Sequence, residues 1–116
     1  MASSNIAKLQ KAYPWIKTPL VCCAPMRMIA LAPLTVEVSK AGGIGFLGSG
    51  TDTSHLRAHL MQASDLLSEN PSTTLPTPNN DDSILPLGVG VLNWGADLKK
   101  ACAAFKSYTP AAVWFF

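Results

Sequence analysis

Val38-Ser39-Lys40-Ala41-Gly42-Gly43-Ile44-Gly45-Phe46-Leu47-Gly48-Ser49-Gly50 is the stretch on which the fold turns. Leu34, Val38 and Ala41 run into it at helical spacing, and Gly42-Gly43 stop that helix, since glycine accepts the left-handed backbone of a helix end. Ile44 to Gly48 then forms a continuous apolar run of strand length. Continuous rather than alternating apolarity is the signature of a strand buried on both faces, as in parallel sheets. The segment from Gly43 to Gly48 also spells G-x-G-x-x-G. A dinucleotide-binding loop of that pattern follows a strand and opens a helix. Here the glycines fall inside the strand, which sets the dinucleotide reading aside.

The same alternation extends in both directions. Upstream, residues 3–13 read as a short helix with Ser3 or Ser4 as its cap and Ile6, Leu9 and Tyr13 on one face, ended by Pro14. Pro19 to Ala24 reads as a first strand, again continuously apolar. Downstream, Gly48-Ser49-Gly50 reads as a turn, Asp52 or Thr53 as a cap, and Leu56, Leu60, Ala63 and Leu67 as the stripe of a longer helix. Residues 70–83 are polar and proline-rich, longer than an ordinary αβ loop, and read as a surface insertion. Leu85 to Leu92 is a third strand, Leu98, Cys102 and Phe105 a helical stripe, and Ala111 to Phe116 a fourth strand. Strands alternating with helices predict a parallel sheet with right-handed crossovers. An open doubly wound sheet and a barrel both satisfy that pattern. The last strand stops at its most apolar point with no covering helix, so the pattern reads as cut short.

Composition narrows the function. The chain has 116 residues, 48% of them hydrophobic and 14% charged, with a net charge of +2. That suits one domain with a real core. The only adjacent basic pair is Lys99-Lys100, so no basic footprint for nucleic acid exists. No apolar segment reaches the roughly 18–20 residues of a membrane helix, and the first twenty residues lack a secretory pattern. The cytoplasm is the expected location. Three cysteines, Cys22, Cys23 and Cys102, lack metal spacing and are expected to be reduced and buried.

Ala24-Pro25-Met26 directly follows the first predicted strand, and in parallel α/β folds ligands bind at the C-terminal ends of strands. Proline fixes the backbone there, and methionine offers a soft apolar contact to a flat ring. A loop turn with a core methionine is the structural alternative. The ordered set of Ala24-Pro25-Met26, Leu31 to Leu34, Val38 to Gly50 and Pro86-Leu87-Gly88-Val89-Gly90-Val91 resembles the nitronate monooxygenase (2-nitropropane dioxygenase) family over residues 14 to 116. Similar flavin-dependent enoyl reductases belong to the same group. The resemblance implies an α/β fold, the first half of a (β/α)8 TIM barrel, with residues 1–116 as the N-terminal part of an FMN-dependent domain. It implies FMN as cofactor, with Ala24, Pro25, Met26 and Gly90 beside the flavin. Many relatives carry asparagine where this chain has Gly90; Asn93 is the nearest replacement for the lost amide.

The activity so implied is oxidation of an alkyl nitronate by flavin and O2 to a carbonyl compound and nitrite. The alternatives are an enoyl reductase using NAD(P)H or a non-catalytic truncated product. In such a barrel the histidine base and the phosphate-binding glycines come from the second half, so the sequence assigns no catalytic residue here. Four strands cannot close an eight-stranded ring, and the chain alone is expected to be inactive. His55 and His59 lie four apart, but Leu56 stands where a zinc protease carries glutamate and no third ligand is evident, so no metal is expected. The pair is expected to be exposed on the outer ring of helices.

Overall fold

A computed structural model describes residues 2–69 and 74–116. Its elements are α1 (Ala2–Ala12), β1 (Cys22–Cys23), α2 (Ala32–Lys40), β2 (Ile44–Gly50), α3 (Leu56–Ser68), a 3-10 turn (Pro78–Asn80), β3 (Ile84–Val91), α4 (Leu98–Ser107) and β4 (Thr109–Phe115). The four strands form one sheet in the order β1-β2-β3-β4, and every neighbouring pair is parallel.

Where the helices lie decides between the two closures. Leu47 of β2 and Leu85, Leu87, Val89 and Val91 of β3 share one core cluster with residues of α2, α3 and α4. All three crossover helices therefore cover the same face. A doubly wound sheet puts helices on both faces and reverses its strand order. Sequential order with one helical face is the arrangement of half of an α/β barrel, whose ring needs eight strands.

The opposite face is built differently. Ile44 and Phe46 point there and pack on Trp15 and Ile16, with Ala111 and Ala112 alongside. The Trp15 indole N–H donates to the Gly43 carbonyl at 2.9 Å, which anchors the segment after α1 across the N-terminal end of β2. Residues 70–73 of the proline-rich excursion lie outside the described residues, but Leu75 packs against this same cluster.

Close helix-to-strand contact explains which residues face the core. A Cβ placed on Gly45 would lie 2.2 Å from the Thr35 carbonyl oxygen, so α2 touches β2 backbone to backbone. Its buried face is accordingly Ala32, Thr35, Val36 and Ser39. This corrects the expected stripe, since Leu34 and Ala41 are exposed and Val38 is half-buried. The larger side chains were given the core by hydrophobicity alone, whereas the narrow gap accepts only small ones. On α4 the same correction applies: Ala101 and Ala104 are buried, while Cys102 and Leu98 are exposed and Phe105 is half-buried. The α3 stripe holds, with Leu56, Leu60 and Ala63 buried and Leu67 half-buried.

Several ends also move. Helix α1 begins at Ala2, so Ser3 and Ser4 lie inside it rather than before it. β2 continues through Gly48-Ser49-Gly50, the expected turn, and its register against β3 slips between Gly48 and Gly50. The residue before α3 is His55, with no side-chain cap bond; the Asp52 carboxylate instead accepts the backbone N–H and hydroxyl of Ser54. Asp97 does cap its helix, accepting from the N–H groups of Lys99 and Lys100 at 3.1 and 3.2 Å.

β1 departs most from expectation. It has two paired residues rather than six, and Val21 is 64% exposed. With β2 on one side only, it is an edge, and neither face is covered as in an inner strand. Cys22 and Cys102 are exposed and Cys23 is half-buried, which overturns the expectation of buried cysteines; all three thiols are free.

Candidate functional site

The C-terminal ends of all four strands open on one side of the sheet, opposite the Trp15 anchor. The loop after β1 lies across this end. A Cβ built on Gly90 of β3 would fall 2.2 Å from Pro25 Cβ and 3.3 Å from Phe116 Cε1. The Pro25 ring therefore rests directly on the Gly90 backbone. A Cβ on Gly48 would meet the Met26 backbone at 2.4 Å, so the next residue of the loop rests on β2 in the same way. The Met26 carbonyl accepts the N–H groups of Ile29 and Ala30 at 3.1 and 2.8 Å, closing the loop into a turn.

Residues far apart in sequence thus meet: Pro25, Met26 and Gly90 form one ledge, with Ala24 exposed at its start and Met26 42% exposed beside it. No side chain rises between Pro25 and Gly90. Aromatic rings border the ledge on β4, where Trp114 stands edge-on to Phe46 at 5.2 Å and to Phe116 at 6.1 Å. The sequence reading assigned no site role to Trp114 or Phe116; period-two alternation along β4 was the signal that places both on the Phe46 face. Asn93 is exposed, and its backbone N–H donates to the Phe116 carbonyl at 2.9 Å. An asparagine side chain at position 90 would require Pro25 to move, so the glycine and the seated proline belong together.

Compared with known proteins, the chain matches no family model and no solved structure. Two curated relatives do match. It is 43% identical over 108 residues to "Nitronate monooxygenase npaC" of Metarhizium robertsii, an alignment covering 93% of this chain and 29% of that protein. It is 31% identical to a "Nitronate monooxygenase" of Neurospora crassa, covering 99% of this chain and 32% of that one. Over the residues it spans, this chain is similar to these two nitronate monooxygenases. The chain spans less than a third of the length of these relatives. Those names describe oxidoreductases, and the nitronate monooxygenase resemblance read from Ala24-Pro25-Met26 to Gly90 agrees with them.

Beside the ledge lies a cavity of about 400 Å³ at the end of β2. The turn after β1 supplies Arg27, Met28 and Leu31, β2 supplies Gly48 and Ser49, and the start of α3 supplies His55, Leu56 and His59 with Asp52 before it. This refines the expectation for the histidine pair. His55 is exposed but His59 is half-buried, and both line the cavity with their rings 6.5 Å apart. Among the described residues no three His, Cys, Asp or Glu side chains converge as a metal-binding group. Asp52 is held below the usual carboxylate range, first by the Ser54 hydroxyl and backbone N–H and then by His55 and Arg27 nearby. The Ser49 hydroxyl is committed to the Gly90 carbonyl at 2.9 Å. Among the described residues, no helix is long and apolar enough to cross a membrane.

Proposed function

We propose that this chain supplies the flavin-facing first strands of an FMN-dependent enzyme that oxidises alkyl nitronates with O2 to a carbonyl compound and nitrite. One observation carries the reading: the Pro25 ring seated on Gly90 at the C-terminal strand ends. The names of both curated relatives point to the same reaction.

The residues present fit a flavin. An isoalloxazine is flat and needs a surface without projecting side chains. Ala24, Pro25 and Met26 would offer one, held low because the buried Gly90 has no Cβ to lift the proline and Gly48 none to lift Met26. Bound FMN would supply the electron-transfer chemistry, while the protein supplies orientation and electrostatics. In this chain Ala24, Pro25 and Met26 would hold the ring, and the exposed Met26 side chain would offer it an apolar contact. Trp114 and Phe116 would border the ring on the side facing β4. No proton-transferring residue is assigned to this chain. The nitronate and O2 are the proposed small-molecule partners, and the cytoplasm the proposed location.

The test is a chimera in which these 116 residues replace the matching segment of the Metarhizium relative. The expected result is a yellow protein that consumes O2 and releases nitrite when given an alkyl nitronate. A folded chimera that stays colourless, or that consumes NAD(P)H with an enoyl substrate and ignores nitronates, would count against the proposal.

A further inference from the structure

We infer that the cavity between the Arg27 turn and the start of α3 is a binding site for a small organic carboxylate, separate from the flavin ledge. Its hydrogen-bonding capacity is unbalanced. Arg27, His55 and His59 bring N–H donors to the lining, and Asp52 is the one carboxylate there. That carboxylate is largely occupied, since one oxygen accepts both the N–H and the hydroxyl of Ser54. Its other oxygen stands 3.9 Å from an Arg27 terminal nitrogen, an ion pair too long to be a hydrogen bond. Neither imidazole has a protein hydrogen-bond partner among the described residues; the two rings meet edge-on, and His55 also lies near the Asp52 carboxylate. Arg27, His55 and His59 thus bring N–H groups to one space, and the Arg27 guanidinium meets its one ion-pair partner there only at 3.9 Å. A guanidinium free of direct hydrogen bonds to its neighbour can take a carboxylate through two parallel N–H bonds.

The remainder of the lining selects the body of the ligand. Met28, Leu31 and Leu56 are apolar, so a bare inorganic ion would leave half the cavity unfilled. About 400 Å³ falls within the range of small-molecule sites. Met28 holds a left-handed backbone at φ 67° while 77% exposed. Such strain in a non-glycine residue collects at ligand-binding positions. The occupant is thus a monocarboxylate with a short hydrocarbon or aromatic body. The charged groups facing it are Arg27 from the turn, Asp52 from the segment before α3, and His55 and His59 from α3 itself. Arg27 and Asp52 have opposite effects on an anion, which gives the site a signature that a structural role would not produce.

The probe is benzoate, titrated into the 116-residue chain while the His55 and His59 ring resonances are followed by NMR. Saturable shifts of both histidines are expected. Arg27→Gln should weaken benzoate by about tenfold, the loss of a charge-assisted bond. Asp52→Asn should tighten it by a few-fold, roughly the removal of one like charge at a partly exposed site. Benzamide, of the same shape without charge, and inorganic phosphate, without the apolar body, should both bind far more weakly. Non-saturating shifts, benzamide or phosphate matching benzoate, or an Arg27→Gln protein that binds benzoate unchanged would each overturn the inference. None of these readouts depends on flavin, so the site and the proposed oxidation stand or fall separately.

Discussion

β2 and β4 are each seven residues long, yet they have opposite surroundings. Every residue of β2 is buried, whereas the last three of β4, Val113, Trp114 and Phe115, are exposed along with Phe116. β2 has a strand on either side and helices across one face; β4 has a neighbour only in β3. β4 carries more apolar side chains than β2, so composition does not account for the difference. Position in the sheet does. Burial in a parallel sheet is collective, and an edge strand carries the apolar character of an inner one without its cover.

The largest effect expected from this contrast lies at the tightest point of the interior. Gly45→Val would push a side chain into the Thr35 backbone, where even a Cβ sits at 2.2 Å. A loss of about 3 kcal/mol or more is expected by urea denaturation. A near-neutral result would mean that α2 does not press on β2. Next comes a matched pair of truncations. Leu47→Ala, at 0% exposure, should cost about 3 kcal/mol, and Phe115→Ala, at 55%, less than about 1 kcal/mol. Equal costs in the same denaturation series would erase the distinction between inner and edge strands.

Helix capping gives a smaller effect. Asp97→Ala removes the acceptor for two N–H groups of α4 and should cost about 1 kcal/mol. The corresponding change at Asp52, which caps no helix, should leave α3 helicity by circular dichroism unchanged. The smallest effect is electrostatic. Asp52 and Asp81 are each held below the ordinary carboxylate value by a following serine, Ser54 and Ser83. A depressed folded-state value adds stability above the unfolded value near 3.8 and loses it as pH falls through the lower folded value. Both groups are exposed to solvent, so a slight decline confined to pH below about 4 is expected, and Asp52→Asn should flatten part of it.

The sequence was legible where periodicity and chain punctuation act locally. Gly42, at φ 99°, ends α2 as the Gly42-Gly43 pair indicated, and the G-x-G-x-x-G letters do lie in a strand. The α3 stripe was legible too, because that helix meets the core through leucines. The faces of α2 and α4 were misread because their buried residues are small, and their selection depends on how near the sheet lies. β1 was misread because exposure at an edge is set by which strands are absent from one side. At the site, the separate segments Ala24-Pro25-Met26 and Gly90 were visible in the sequence, but their direct contact was not. Nor was the cavity around His55 and His59, since the pattern along α3 carries no record of the Arg27 turn packed across it.

The proposed role of the Pro25–Gly90 contact is to seat flavin. Its most direct test is the FMN dissociation constant of the chimeric enzyme with and without Gly90→Val, measured alongside thermal unfolding of the flavin-free proteins. The valine side chain must displace Pro25, which lies 2.2 Å from the position of its Cβ. FMN binding weaker by about tenfold or more, near 1.4 kcal/mol, is expected with the fold retained. Unchanged FMN affinity in a folded Gly90→Val protein would contradict it.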